Sequence, residues 1–163
     1  MSRPIQDIYR DDLRFLLRLK EAVSILHNRI HDNLARTAIE HFKEKYPQWQ
    51  FAYANAGAAG IDVTGIDSGG VVKLVAEVKT TLPDTKGRIR SPQTQNLRND
   101  LQRLTNYIGD VIRYLVLLSP GTADAVRRQL HTDRDFPDII IFNALDDDLR
   151  DVAESSDETD EPR

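Results

Sequence analysis

Two acids and a lysine with the chemistry of a metal-dependent hydrolase stand close together near the middle of the chain. They are Asp62, Glu77 and Lys79, within residues 60–80. Two carboxylates can hold a hard divalent cation such as Mg²⁺, which takes oxygen ligands in octahedral geometry. Such a cation polarises a phosphodiester and lowers the pKa of its bound water, and a neighbouring lysine can position that water. These residue types therefore predict hydrolysis of a phosphodiester bond.

The segment that carries these residues reads as two strands joined by a tight turn, because Asp-Ser-Gly-Gly between them has a turn composition. If Ile66 faces Val71, Asp62 and Glu77 are diagonal neighbours on one face, about 7–8 Å apart at the backbone. Side chains alternate along a strand, so Lys79 shares that face. A solvent-facing hairpin with a Glu–Lys pair is the alternative. The opposite face is expected to be apolar, with Ile61, Val63, Val72, Leu74, Ala76 and Val78.

The pattern of an acid, a hairpin and Glu-x-Lys in an apolar strand resembles the PD-(D/E)XK nuclease superfamily. The resemblance spans residues 33–142 by element order, although Ile61 stands where the motif has its proline. It implies the restriction-endonuclease-like fold and a metal-dependent enzyme that cleaves DNA. It gives the catalytic roles to Asp62, Glu77 and Lys79. The two acids are then ligands of Mg²⁺, for which Mn²⁺ is the expected substitute.

Two further metal ligands follow from the resemblance alone. The backbone carbonyl of Val78 is implied as one of them. Many members of the superfamily place a glutamate on the first core helix, and Glu40 stands on the helix expected before the first strand. A solvent-facing helical glutamate is the alternative for Glu40.

The N-terminal part of the chain predicts a helix that the nuclease core does not require. Residues 5–46 contain no proline or glycine, so residues 1–31 are expected to form an extra helix, either continuous with the next helix or separate from it. This helix carries an apolar stripe, which suits a lid packed on the core or a dimer contact. The lid is the plainer expectation. Since an enzyme that cuts both DNA strands gains from twofold symmetry, we expect a homodimer. The stripe recurs in steps of three and four: Leu16, Leu19, Val23, Leu26 and Ile30.

The order of the remaining elements predicts an α/β fold with a mixed β-sheet flanked by helices. Three strands precede a helical crossover into a fourth strand, and a further helix and strand follow. The expected elements outside the hairpin are strand Trp49–Ala54, helix Thr94–Gly109, strand Ile112–Leu118, helix Thr122–Leu130 and strand Asp138–Phe142.

Length and charge predict one basic domain followed by an acidic tail. The chain has 163 residues, which is enough for a single domain with a core. Residues 146–163 hold nine acids and two arginines, a net charge of −7, which leaves +3 of the total −4 for residues 1–145. The tail is almost devoid of apolar residues, so we expect it to be disordered.

Composition also bears on location. The absence of cysteine excludes disulfides and thiolate metal sites and fits a reducing compartment, so a cytoplasmic protein is expected. The N-terminal residues lack the apolar region of a signal peptide. No apolar run approaches the roughly 20 residues that span a bilayer, so no membrane association is expected.

Two other sets of residues have a functional and a plain interpretation. Lys86, Arg88 and Arg90 directly follow the Glu-x-Lys strand and either contact DNA phosphates or form a solvated basic loop. His27 and His31 have a helical spacing that can bind zinc. Because no third ligand is evident nearby, surface histidines are the expectation.

The function that the sequence predicts is a Mg²⁺-dependent endodeoxyribonuclease acting on DNA, with a restriction-type enzyme as its leading form. A structure-specific repair or recombination nuclease, similar to a junction resolvase, is the close alternative. A non-catalytic nucleic-acid-binding protein that keeps the nuclease fold is the alternative from a different class.

Overall fold

The computed structural model describes residues 5–54 and 60–145, with side chains described from residue 12 onward. The acidic tail and most of the small-residue loop before Gly60 lie outside the described residues. The elements in chain order are α1 Ile5–Lys45, β1 Gln50–Tyr53, β2 Val63–Ile66, β3 Val72–Lys79, α2 Ser91–Thr105, β4 Ile112–Leu117, α3 Pro120–Leu130, α4 Thr132–Asp135 and β5 Ile139–Asn143.

The strands form one mixed sheet in the order β1-β2-β3-β4-β5. The first three strands pair antiparallel, and β3, β4 and β5 pair parallel through the crossovers that contain α2 and α3. The prediction of an α/β fold with a helix-flanked mixed sheet is therefore confirmed. The strand β3 lies at the centre, and its residues 74–78 are buried because layers cover both faces of the sheet.

Two apolar cores hold the layers together. The C-terminal half of α1 packs Leu34, Ala38 and Phe42 against one face of the sheet. On the other face, helices α2 and α3 contribute a second cluster that includes Leu101 and Val126. Both helices follow a parallel strand, so the apolar stripe of each returns across the same side of the sheet.

The helix α1 is continuous across residues 31–33. The sequence was consistent with either one long helix or two separate helices at this point. The first part of α1 does not pack on the core: every described side chain from residue 12 to residue 30 is exposed. The expectation of intramolecular packing for this stripe is therefore wrong. No helix in the described ranges is both long and apolar enough to cross a membrane.

The hairpin forms where expected, but with a different register. Asp67 shapes the turn, because its Oδ1 accepts the N–H groups of Gly69 and Val71, each at 2.9 Å. Gly70 completes the turn with a φ of 80°, which favours glycine. The pairing of Gly65 with Leu74 lies two residues away from the predicted register.

A β-bulge is the physical reason for part of this difference. Ile66 pairs with Val72 whereas Gly65 pairs with Leu74, so Lys73 is an extra residue on β3. The irregularity also puts Val72 against the α2 side of the sheet, and Ile61, which precedes β2, packs there too. Both were expected on the other face. Continued one residue past β2, the register sets Asp62 opposite Glu77.

Candidate active site

A pocket of about 460 Å³ opens beside the end of β3, between α1 and α2. Asp62, Glu77, Val78 and Lys79 all line it, so the structure brings together the three side chains that the sequence singled out. The remaining lining residues come from α1, the segment before β2, the segment after β3 and α2: His27, His31, Gly60, Thr80, Thr81, Gln93, Asn96, Leu97, Asp100 and Arg103.

Glu77 is the most deeply buried charged residue of the pocket, with 0% of its surface exposed. Its Oε1 accepts a hydrogen bond of 2.8 Å from Arg103. Its Oε2 lies 3.1 Å from Lys79 Nζ in an orientation that makes no hydrogen bond. Burial raises the pKa of Glu77 to about 7; Lys79 opposes the shift, and the charge of Asp62 adds to it.

Asp62 is held by the neighbouring strand. Its Oδ2 accepts the backbone N–H of Val78 at 2.8 Å, and its own carbonyl accepts the N–H of Ala54. Burial raises the pKa of Asp62, but His31, the Val78 amide and Lys79 outweigh burial, so the pKa lies below its usual value. Asp62 is therefore the ionised partner of the two acids, and Glu77 is the partly protonated one.

Lys79 lies among three carboxylates. Its Nζ is 3.0 Å from Asp100 Oδ2, 3.1 Å from Glu77 Oε2 and 3.9 Å from Asp62 Oδ2. Burial lowers the pKa of Lys79, but Glu77 and Asp100 outweigh burial and raise the pKa overall. The sequence left the direction of this shift open. In the protein without metal, Lys79 is a protonated cation.

Asp100 and Arg103 on α2 complete the charged cluster, and the sequence interpretation missed both. Arg103 donates to Glu77 Oε1 and to the carbonyl of Gly60, and its Nη2 lies 3.3 Å from Asp100 Oδ1. A signal was present: Asp100 interrupts the apolar stripe that holds Leu97 and Leu104, and a charge on a buried helix face requires a partner.

His31 is a pocket residue and not a surface histidine, so that expectation is wrong. Only 13% of its side chain is exposed, and its Nε2 lies 3.8 Å from Asp62 Oδ1. Its buried Nδ1 has no hydrogen-bond partner. The spacing of His31 to Leu34 and Ala38 matches the sheet-facing stripe of α1, which is the signal that the sequence offered. His27, one turn earlier, is exposed but contacts Thr80 Oγ1 at 3.1 Å.

Glu40 does not join this cluster. It pairs with Lys43 at 2.7 Å, and 69% of its side chain is exposed. Nine residues separate it from His31, which amounts to about 13 Å along the helix and about half a turn around it. Glu40 therefore lies on the opposite side of α1 and faces solvent, which was the alternative interpretation of this residue.

The basic residues after β3 lie outside the pocket lining. Lys86, Arg88 and Arg90 are exposed in a loop shaped by Asp84, whose Oδ1 accepts the N–H groups of Lys86 and Arg88. Arg128 of α3 ties the loop to the body by donating to the carbonyl of Gly87. Contact of this loop with DNA stays a prediction.

The donor chemistry of the pocket fits a hard divalent cation. Asp62 and Glu77 supply carboxylate oxygens, and the buried Glu77 Oε2 has the Lys79 ammonium 3.1 Å away as its ion-pair partner. Three carboxylates meet two cationic side chains, so the cluster has an excess of negative charge when Glu77 is ionised. Within the described ranges, no three His, Cys, Asp or Glu side chains are already arranged around a metal position; Lys79 and Arg103 pair with the acids instead.

Comparisons with known protein families, with characterised proteins and with solved structures found no match to this chain. The resemblance to the PD-(D/E)XK superfamily therefore depends on the residues and the order of the elements.

Proposed function

We propose that this chain is a Mg²⁺-dependent endodeoxyribonuclease of the PD-(D/E)XK superfamily with the restriction-endonuclease-like fold. The observation that carries the proposal is the meeting of Asp62, Glu77 and Lys79 in one pocket, with Glu77 fully buried. A buried carboxylate is costly unless it is paired or binds a cation, which favours a functional site over a solvent-facing hairpin.

The order of the elements supports the same proposal. A helix, an antiparallel three-stranded unit, a crossover helix and a parallel strand follow one another, and a further helix and strand are appended. Glu77 lies near the end of the central strand β3, Asp62 lies just before β2, and the crossover helix α2 lines the pocket beside them.

The proposed metal ligands are Asp62, Glu77 and the carbonyl of Val78. When bound, Mg²⁺ supplies Lewis-acid polarisation of the phosphodiester and a water of lowered pKa. Asp62 is presented in its ionised form by the Val78 amide and by His31. His31 on α1 is proposed to position Asp62, whereas Glu40, which the resemblance offered as a metal ligand, lies away from the site.

Lys79 contributes positive charge to the reaction. In the metal-free protein the carboxylates of Glu77 and Asp100 raise the pKa of Lys79, which favours a hydrogen-bond donor over a proton acceptor at this position. Lys79 can donate hydrogen bonds to the water or to a phosphate oxygen and offset the negative charge that develops in the transition state. Asp100 holds the ammonium group in place at 3.0 Å.

Arg103 is suited to contact the phosphate of the substrate. Its guanidinium forms the 2.8 Å ion pair with Glu77, yet 47% of its side chain is exposed. An arginine at the mouth of the pocket can exchange a carboxylate partner for a phosphate, since both match its planar donors. His27, Gln93 and Asn96 line the same opening and offer further polar contacts.

The DNA form that is cleaved can be determined with a substrate panel. Duplex plasmid, four-way junction and single-stranded DNA are each incubated with protein and Mg²⁺. Discrete duplex fragments identify a restriction-type enzyme, and preference for the junction identifies a structure-specific nuclease. If the protein binds these substrates but cleaves none of them, the result contradicts the proposal and favours a non-catalytic DNA-binding protein.

A cytoplasmic location is part of the proposal and rests on the absence of cysteine.

Asp62→Asn tests the site within this panel, and Asp67→Asn is its matched control. Asp62→Asn removes a proposed metal ligand and is expected to abolish cleavage of the preferred DNA. In Asp67→Asn the side-chain oxygen can still accept the turn N–H groups of Gly69 and Val71, so cleavage is expected to match that of the wild type. Equal cleavage by Asp62→Asn and the wild type contradicts the site assignment.

A further inference from the structure

The first part of α1 forms an arm, residues 12–30, in which every side chain is exposed. Its large apolar residues keep between 37% and 65% of their surface exposed, the lowest value at Ile30 and the highest at Phe15. These side chains are Leu13, Phe15, Leu16, Leu17, Leu19, Val23, Ile25, Leu26 and Ile30.

An uncovered arm of this kind is physically unfavourable. Isolated helices are marginal in water, and most helical stability in proteins comes from packing of an apolar face. Exposed apolar patches above a few hundred Å² mark interaction sites in soluble proteins. Neither the sheet nor the other helices cover this arm among the described residues, so its apolar side chains are available to a partner.

The spacing of the apolar residues identifies the partner as another helix of the same kind. Leu16, Val23 and Ile30 occupy the first position of successive heptads, and Leu19 and Leu26 occupy the fourth. This repeat is the knobs-into-holes seam of a coiled coil. Two of the three first positions hold a β-branched residue and both fourth positions hold leucine, a combination that favours two strands over three or four in a parallel coiled coil. We propose that residues 12–30 pair with the same segment of a second copy of this chain as a parallel two-stranded coiled coil.

The area available is sufficient for such a dimer. Each of the five seam side chains has roughly 100 Å² left to cover, so the seam alone removes on the order of 1,000 Å² from water over both copies. Leu13 and Phe15 flank the seam and extend it toward the roughly 1,200 Å² that stable interfaces bury. The position farthest from the seam, by contrast, carries Arg14, Glu21 and Asn28, whereas Leu17 and Ile25 lie at the outer positions next to it.

The arm of a second copy can approach the arm of the first without contacting the body, which is the part of the chain that follows the arm. Successive residues lie about 100° apart around a helix. The seam residue Ile30 is therefore about 100° away from His31, which faces the sheet. The body lies to the side of the seam, and the falling exposure of Ile30 marks the point where the body begins.

Parallel pairing has a consequence that rests on the proposed function. It puts both bodies at the same end of the coiled coil, and each pocket is lined by His27 and His31 of the helix that pairs. Two sites held side by side about a twofold axis suit a duplex whose two strands are both cut. The inferred substrate is therefore duplex DNA cleaved on both strands.

Single-cysteine crosslinking tests the pairing without any use of nuclease activity, and the absence of native cysteine makes it unambiguous. Leu16→Cys, Val23→Cys and Ile30→Cys are each oxidised in the full chain, with Glu21→Cys on the outer face as control. Parallel pairing predicts disulfide dimers for all three seam variants and little for the control. An antiparallel pair can bring at most one of the three within the roughly 7 Å that a disulfide spans between Cα atoms, so a single crosslinking position overturns the proposal.

The oligomeric state gives the second readout. Wild type and Lys79→Met are expected to be dimers by light scattering at about 50 µM, whereas Leu16→Glu/Leu19→Glu is expected to be a monomer with unchanged near-ultraviolet circular dichroism. If the proposed nuclease function also holds, the double variant nicks plasmid but loses linear product. A monomeric or tetrameric wild type overturns the coiled-coil dimer. A dimer without any cleavage contradicts only the proposed function.

Discussion

Glu77 and the two cations beside it determine the electrostatics of the pocket. Lys79 and Arg103 approach opposite oxygens of this buried carboxylate, and burial still holds its pKa near 7. The proposed Mg²⁺ requires the ionised form of Glu77, so we expect protons to compete with the metal for this residue at and below neutral pH. The unfolding free energy of the metal-free protein must therefore also depend on the protonation of Glu77.

The pH dependence of stability follows from the sign of this shift. Glu77 binds a proton more tightly in the folded state, at a pKa of about 7, than at its ordinary value of 4.5. Its contribution to stability is therefore fully present below pH 4.5 and is lost as the pH rises through about 7. From pH 5 to pH 8, metal-free wild type is expected to lose about 2 kcal/mol more unfolding free energy than Glu77→Gln, measured by urea titration in EDTA. Equal losses contradict the raised pKa.

Arg103 pairs with the carboxylate of Glu77 that is proposed to bind Mg²⁺, so we expect Arg103 to compete with the metal. Arg103→Gln is expected to bind Mg²⁺ about tenfold more tightly by calorimetry, since roughly 1.4 kcal/mol of repulsion and competition is removed. Cleavage at saturating Mg²⁺ is expected to fall, because the phosphate contact is lost. Arg98→Gln, on the same helix but outside the pocket, is the control. Weaker Mg²⁺ binding by Arg103→Gln contradicts this account.

Three elements position the pocket. The central strand β3 carries Glu77 and Lys79, α2 brings Asp100 and Arg103, and α1 brings His31. The α1 contribution depends on the packing of its C-terminal half on the sheet. Phe42 is the largest apolar side chain in that contact, with 0% exposure and a ring centroid 4.6 Å from that of Tyr114.

Phe42→Ala is therefore expected to destabilise the fold by about 3–5 kcal/mol, because it leaves a cavity between α1 and the sheet. Ile108→Ala is the control, since Ile108 is 94% exposed, and the expected change is within about 0.5 kcal/mol. Denaturant unfolding followed by far-ultraviolet circular dichroism measures both. A loss below about 1 kcal/mol for Phe42→Ala contradicts the packing of α1 that the structure describes.

At the scale of elements, the sequence predicted the type and order of the helices and strands better than the register and the faces through which they pack. Alternation and turn chemistry were sufficient for the hairpin, and the apolar runs were sufficient for a mixed sheet. The bulge at Lys73 could not be foreseen, because the residues on both sides of Lys73 are apolar and hide the shift in alternation that an extra residue causes. The family resemblance offered Glu40 as a metal ligand, and His31 was interpreted as a surface histidine. The structure reverses their placement because the side of α1 that faces the sheet depends on tertiary packing.

Charge is unevenly distributed over the whole molecule. Residues 1–145 carry +3 and residues 146–163 carry −7. A basic body attracts the DNA backbone, and an acidic segment on the same chain competes for that surface. The tail lies outside the described residues, so this expectation rests on the sequence alone.

Deletion of residues 150–163 is expected to tighten non-specific DNA binding several-fold at about 50 mM salt. The gain should shrink at about 300 mM salt, because screening weakens competition between charges. Fluorescence anisotropy with a labelled duplex measures both affinities. The same affinity for the full and the shortened chain at low salt contradicts competition by the tail.

Cleavage of supercoiled plasmid in Mg²⁺ by the wild type, Lys79→Met and Lys73→Met tests the central claim most directly. Both lysines lie on β3, but Lys79 lies in the pocket, whereas Lys73 lies 3.9 Å from Asp67 near the turn. Loss of the pocket cation is expected to lower the rate by at least about 100-fold, and Lys73→Met is expected to cleave like the wild type. Cleavage by Lys79→Met at the wild-type rate would contradict the account.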